Sequence, residues 1–311
     1  MKKHKIKAIC LDLDNALLDS RGRLTQHTKD TLLAFQEQGG KLILCSSRPV
    51  SALEPYGDEL EMWSHNGWYA GLSGSQIGCA RTGEIMEQKC LSRSEARDIL
   101  HTLEDIQHIK DYEFVERFSP EQLLQILRYT FDSFREDANR TAYNILIYHG
   151  DELYAKRAEY FAAVERLKAQ LDLQVDSQLA RRLQFDPNKM LVCGEPQFIS
   201  ELYLPISSAL LSYEVVLAEP GKVEITSKGV HVGSALKKIQ EAEHFSPEET
   251  AAFIGRPADA SLISQAGWAI AMQNAVNLLN QPLADEAPDQ DHDGVASFIE
   301  AHPESFLQEA R

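Results

Sequence analysis

The chain has 311 residues with 43% hydrophobic residues, and its 47 acidic residues outnumber its 31 lysines and arginines for a formal net charge of −16. That length supports one large or two medium domains with a sizeable core. The acid excess and the lack of a sustained basic stripe argue against a nucleic-acid surface, while one local pocket can still take a small anion.

The opening MKKHKIKAICLDLD is basic, but its apolar stretch is short and soon carries acids, so it does not read as a secretory signal. No run approaches the roughly 18 apolar residues of a membrane helix, so no membrane partner is expected. Cys10, Cys45, Cys79, Cys90 and Cys193 are odd in number and widely spaced with no CxxC pair. The expectation is free thiols in a reducing cytoplasm and no zinc.

Ile6 to Leu13 predict a buried strand that delivers Asp12 and Asp14 to its C-terminal end. SRGRL, with Gly22, predicts a turn. Thr25 and Thr28 can cap a helix with Leu32, Leu33 and Phe35 on its buried side, and Gly39-Gly40 ends it. KLILCSSRP (41–49) is a second buried strand running out into hydroxyl residues. Strand, helix and strand within about fifty residues predict a parallel sheet with right-handed crossovers. Ligands of such sheets sit beyond the carboxyl ends of the strands, where Asp12, Asp14, Ser46 and Arg48 fall.

The middle of the chain differs. Ser92 or Ser94 caps a helix carrying Ala96, Ile99, Leu100, Leu103 and Ile106 on one face. Ser119-Pro120-Glu121 starts another, with Leu123, Leu124, Leu127, Phe131 and Phe134 at helical spacing. TAYNILIYHG (141–150) predicts a strand, Asp151 opens a helix to about Leu171, and residues 184–197 hold a further strand. This mixture predicts an inserted α+β module. From about Val223 the first pattern returns, with a helix after Gly229 and short strands AAFIG (251–255) and WAIAM (268–272). Gln281 to Asp293, acidic and bearing Pro282 and Pro288, reads as a surface loop.

Two carboxylates at a strand end can converge on one site, where one attacks phosphorus while the other moves protons; solvated strand termini look the same in sequence. Further stretches narrow the reading. LDLDNALLDSRGRLTQHT, CSSRP, LSGSQI (72–77), EITSKGVHVGSAL (224–236), AFIGRPADASLISQAGWAIAMQNA (252–275) and HDGVASFIE (292–300) together resemble the motifs of the haloacid dehalogenase (HAD) superfamily, closest to its Cof-type, subfamily IIB hydrolases. The resemblance covers about half the chain, at both ends. It implies an α/β fold: a Rossmann-like parallel-sheet core of residues 1–86 plus 223–311, and an inserted α+β cap of the C2B type at 87–222. It implies phosphatase chemistry on small phosphorylated molecules with Mg2+ as cofactor. Asp12 then matches the nucleophile and Asp14 the general acid/base. Ser46, Ser47, Arg48, Ser73 and Gly74 match the phosphate- and substrate-facing positions, with Arg48 also holding its loop.

The third and fourth motifs depart from that pattern. Val232 occupies the position of the phosphate-steadying lysine. Arg256 replaces the first acid of the fourth motif, Asp259 replaces its asparagine and Ala260 its second acid. Asn15 and Ala16 stand where Gly and Thr are usual. Arg256 for Asp changes the local charge by two units, and one charge pair at 4 Å with an effective dielectric near 20 is worth about 4 kcal/mol. Ordinary magnesium binding by Asp12, Asp14 and Asp259 is therefore expected to be lost or severely weakened, with Asp259 the remaining candidate for a rescued ligand. Arg256 is expected to bridge to Asp12 or Asp14 in place of the cation, or else to lie on the surface. Lys228, four residues before Val232, is expected to be structural.

DQDHDGVASFIE (289–300) also matches the spacing of a calcium loop through Asp289, Asp291, Asp293, Gly294 and Glu300, although PLADEAP rather than a helix precedes it. Three functions stay open: a degenerate family member that binds a small molecule or a partner, a working phosphohydrolase with an altered metal site, and a non-catalytic protein acting through its cap surface. No protein partner can be named from sequence.

Overall fold

A computed structural model describes residues 5–116, 143–158, 160–279 and 282–307. In chain order its strands are β1 Ala8–Asp12, β2 Lys41–Cys45, β3 Trp68–Gly71, β4 Gln76–Cys79, β5 Glu84–Gln88, β6 Tyr143–His149, β7 Glu152–Ala155, β8 Asp172–Val175, β9 Lys189–Gly194, β10 Tyr213–Glu219, β11 Lys222–Ser227, β12 Thr250–Ile254, β13 Trp268–Met272 and β14 Asp285–Ala287. Its helices are α1 Gln26–Glu37, α2 Glu54–Glu59, α3 Arg93–Glu116, α4 Tyr160–Ala169, α5 Leu179–Arg182, α6 Pro196–Ala209, α7 Val232–Glu243, α8 Gly294–Ala301 and α9 Pro303–Phe306. None of them is long and apolar enough to cross a membrane.

Two compact units emerge. One comprises residues 1–90, 217–219 and 226–311; the other comprises 91–216 and 220–225. The hand-over falls at 90–91 and 225–226 rather than at 86–87 and 222–223. Glu84–Gln88 pairs with β4 in the first unit, and Lys222–Ile225 pairs with β9 in the second.

The first unit is built on an eight-stranded sheet in the order β14-β13-β12-β1-β2-β3-β4-β5. The six strands from β14 to β3 are parallel, and β4 and β5 close one edge antiparallel. Alternation along β1 explains the burial of both faces. Ile9 and Leu11 face a core with Phe35, Phe253, Trp268 and Phe298; Ala8 and Cys10 face another with Val232, Leu236 and Ile254. Thr25 caps α1 by accepting from Thr28 N at 3.2 Å, and Gly39 ends it at φ +89°.

The second unit carries a sheet in the order β10-β11-β9-β6-β7-β8. Ser92 and Glu95 cap α3 reciprocally: Glu95 N donates to Ser92 Oγ at 3.2 Å and Ser92 N to a Glu95 carboxylate oxygen at 2.7 Å. Inside, Lys222 pairs with Glu165 at 2.7 Å, the Tyr148 hydroxyl donates to Glu165 at 2.5 Å, and Lys189 pairs with Glu224 at 3.0 Å. Burial pushes the Glu165 carboxyl up, but Lys222, Tyr148 and Lys189 together outweigh it and hold the group below its usual range.

Two predicted elements are corrected. The helix expected from Asp151 is instead β7, entered through a turn with Gly150 at φ +54°, and the helix begins only at Tyr160. Leu153 and Ala155 point inward while Glu152 points out, a period of two that was read as part of a longer helical run. The acidic loop 281–293 contains β14, an edge strand that pairs with β13 and buries Ala287. The helix expected from Ser119 lies outside the described residues.

A candidate site at the ends of strands one, two and twelve

The parallel register brings the sequence-predicted residues together. Asp12 ends β1 opposite Cys45, the last residue of β2, and β12 on the other flank runs out into Gly255 and Arg256. Leu13–Leu17 then form a π-helical turn, closed by Leu18 N donating to Leu13 O at 3.0 Å. This extra-wide turn places Asp14 away from the strict two-residue alternation of a strand.

Asp12 is buried, at 1% exposure, and carries three donors. Asn15 N and Nδ2 reach its Oδ1 at 2.7 and 2.9 Å, and Arg256 Nε reaches its Oδ2 at 3.0 Å. Arg256 is itself only 4% exposed, so it is a buried cation and not a surface arginine. Asp259, fully buried, accepts from Gly255 N and Arg256 N through Oδ2 at 3.2 and 3.1 Å, and its Oδ1 lies 3.4 Å from Arg256 Nε. Burial pushes the Asp12 carboxyl up, with Arg256 pulling the other way; burial and the neighbouring Asp12 push Asp259 well up.

Asp14 takes a separate partner. Arg48 Nε donates to its Oδ2 at 3.2 Å, and Arg48 Nη2 makes a second, shorter contact to Oδ1. Burial works against the Arg48 cation, but Asp14 and Tyr56 together outweigh it and raise its pKa above the usual value. The Ser46 hydroxyl accepts from Arg48 N at 3.1 Å and approaches Asp14 at 3.4 Å. Ser47 is half-buried beside it.

Ser73 and Gly74 form a turn against this loop: Ser73 N donates to Ser46 O at 2.9 Å, and Leu72 N to Arg48 O at 2.7 Å. Leu72, Ser73 and Gly74 all have positive φ. A Cβ on Gly74 would stand 2.4 Å from His231 O and 3.0 Å from Val232 N. Gly74→Ala is therefore expected to cost about 1–3 kcal/mol in strain and to lower the thermal midpoint. An unchanged midpoint would show that the 231–232 backbone can withdraw.

Val232 does not face the cluster of charges. It opens α7, is 2% exposed, and packs with Cys10, Cys45, Ile254 and Leu262. Ala260 is exposed on the 3-10 turn Pro257–Leu262, and Lys228 is exposed in the turn before α7. Sequence reasoning missed the double donor Asn15 and also Asn274, whose Nδ2 donates to Asn15 O at 3.0 Å and Gly255 O at 3.3 Å. The available signal was the Asp12–Asn15 spacing, which suits a side-chain cap at the entrance of a turn.

These residues do not fit a divalent cation. Each Asp12 oxygen already takes protein N–H donors, Asp259 Oδ2 takes two more, and a guanidinium lies against both carboxylates where Mg2+ would need oxygen ligands in an octahedron. Among the described residues, no three His, Cys, Asp or Glu side chains form a set able to hold a metal ion. The calcium-loop spacing is likewise spent within the protein. Asp291 accepts from Ser20 N, Asp293 from Thr25, and Glu300 from Thr31, with Gly294 opening α8.

A family model described as haloacid dehalogenase-like hydrolase matches residues 9–117 and 106–299. YxeH of Bacillus subtilis (strain 168) is 22% identical over 298 residues, covering 94% of this chain and 97% of that protein. A haloacid dehalogenase-like hydrolase structure from B. subtilis aligns with a TM-score of 0.72 at 18% identity, covering 97% of this chain and all of that one. The HAD subclass IIB sugar phosphatase BT4131 aligns with a TM-score of 0.70 at 14% identity, covering 96% and 99%.

Proposed function

The chain belongs to the haloacid dehalogenase-like hydrolase family, and from that premise we propose that it is a member with little or no Mg2+-dependent phosphatase activity that binds a small phosphorylated molecule. One observation carries the reading: Arg256 Nε lies 3.0 Å from Asp12 Oδ2, with both side chains buried. The sugar-phosphatase name of BT4131 suggests the sugar-phosphate class of ligand.

Asp12 stands at the nucleophile position and Asp14 at the acid/base position, and the pairing of each opposes that work. An attacking carboxylate needs a lone pair directed at phosphorus, and three of the roughly four lone-pair directions of Asp12 are taken by Asn15 and Arg256. A proton carrier must reach the leaving oxygen, and Asp14 is clamped by Arg48. No lysine stands at the third-motif position to steady a developing phosphate charge, because Val232 there is packed into the core. Ser46, Ser47, Arg48, Ser73 and Gly74 form the loop wall that we assign to phosphate contact.

The test is turnover of a phosphomonoester panel with and without Mg2+, beside Asp12→Asn. The expected result is turnover no greater than that of Asp12→Asn and unaffected by Mg2+. Magnesium-dependent turnover abolished by Asp12→Asn would establish a working hydrolase and overturn the proposal.

A further inference from the structure

The second unit contains a cleft of about 460 Å³, lined by Ser92, Arg93, Ser94, Arg97, Phe185 and their neighbours from the 184–186 loop. That volume lies in the range of small-molecule sites, roughly 300–1,000 Å³. Arg93 and Arg97 are four apart on α3 and therefore present one face to it. In a chain with a net charge of −16, neither guanidinium has a carboxylate within salt-bridge distance among the described residues. Arg97 Nη2 donates to the backbone carbonyls of Leu183 at 2.8 Å and Arg181 at 3.4 Å, which fixes the fork; its Nε is buried with no hydrogen-bond partner among the described residues. Among the described residues, Arg93 Nη1 reaches the Gln184 side-chain oxygen at 3.4 Å.

The acids nearby are otherwise engaged. Asp186 Oδ1 accepts from Arg93 N at 2.7 Å, and Glu95 accepts from Ser92 N at 2.7 Å. Both therefore cap the backbone of α3 and neither pairs with a guanidinium; Asp186 also lines the cleft and keeps its charge there, so the two arginines leave the site with a net positive charge. Phe185 supplies an aromatic surface. It is half-buried and braced by the His149 ring, stacked at 4.4 Å between centroids, and by Tyr154, tilted at 4.5 Å. Two planar cations beside a braced ring match a ligand with an oxyanion head and a flat apolar body. Ser92 and Ser94, 3.1 Å apart at their hydroxyls, add short donors at the rim.

We propose that this cleft is a second ligand site, which takes an aromatic phosphomonoester with the phosphate on Arg93 and Arg97 and the ring against Phe185. It is independent of the Asp12 site and uses residues of the second unit alone.

Phenyl phosphate is the probe, with inorganic phosphate and phenol as controls, and binding to the full chain is read by calorimetry. Phenyl phosphate is expected to bind more tightly than either control, and Arg93→Ala to weaken it at least tenfold. Phe185→Leu is expected to remove the advantage over inorganic phosphate. A second measurement does not depend on variants: butanedione modifies arginines, and peptide mapping locates them. Phenyl phosphate is expected to protect Arg93 and Arg97. Protection confined to Arg48 or Arg256 would put the probe at the Asp12 site and overturn this proposal while supporting ligand binding there. Unchanged affinity in Arg93→Ala, or absence of protection at both cleft arginines, would also overturn it.

Discussion

Replacing Arg256 with aspartate is expected to raise the protein's affinity for Mg2+ above that of the native chain. The substitution removes a buried cation 3.0 Å from Asp12 and adds a carboxylate on the same backbone. At about 4 Å and an effective dielectric near 20, each unit of charge is worth about 4 kcal/mol against a neighbouring unit charge. Relaxation and water entry take back much of this, but ~2.7 kcal/mol is already a hundredfold in affinity. Calorimetry should show no Mg2+ heat for the native chain at millimolar metal and single-site binding for Arg256→Asp. The variant buries Asp12, Asp259 and a new acid with no cation between them, so it should be unstable alone and rescued by metal. A thermal midpoint that rises with Mg2+ is the second readout. Native binding at millimolar Mg2+ or below, or a variant blind to Mg2+ in both assays, would show that Arg256 is not what keeps the cation out.

Arg256→Leu should destabilise the fold by about 3–5 kcal/mol near neutral pH, the usual result of stranding a buried partner charge. The loss should shrink as the pH falls. Asp12 and Asp259 both have folded pKa values raised above the usual carboxylate range, so the native state keeps protons that the unfolded chain has released. Their contribution to stability is therefore full below the unfolded pKa, near pH 4, falls as pH rises towards the folded values, and is flat above them. Arg256 lowers both groups, so removing it pushes both higher and lengthens that falling window. Denaturant unfolding at pH 4.5 and 7.5 should separate the two regimes, and Asp259→Asn should make the native slope shallower. An Arg256→Leu loss of the same size at both pH values would mean that packing, not charge, is what the arginine supplies.

Much of the first unit was legible because buried parallel strands are short apolar runs with sharp ends: β1, β2 and β13 lie within the stretches read from sequence, and β12 starts one residue before its stretch. The convergence of Asp12, Asp14, Ser46 and Arg48 followed from the rule for strand carboxyl ends, and the place of Arg256 beside them from the family resemblance. The pairing was less legible. Which acid takes which arginine depends on the π-helical turn after Asp12, and five residues of ordinary composition do not announce such a turn. The turn sends Asp14 to Arg48 and leaves Asp12 to Arg256. Val232 was visible as a missing lysine, but its place in the core depends on contacts with strands from both ends of the chain. β7 was hidden because four residues with two inward positions fit a helix as readily as a strand.

The central place of β1 has a consequence for biosynthesis. Ala8 pairs on one side with Lys41 and on the other with Thr250, roughly 240 residues later. At a synthesis rate of about 5–20 residues per second, one edge of the nascent β1 waits roughly 10–50 s for its permanent neighbour. Residues 91–225 emerge meanwhile and contain all six strands of their own sheet except the last two residues of β11. Synthesis thus completes that module while one apolar edge of β1 stays open, a template for mispairing until β12 arrives.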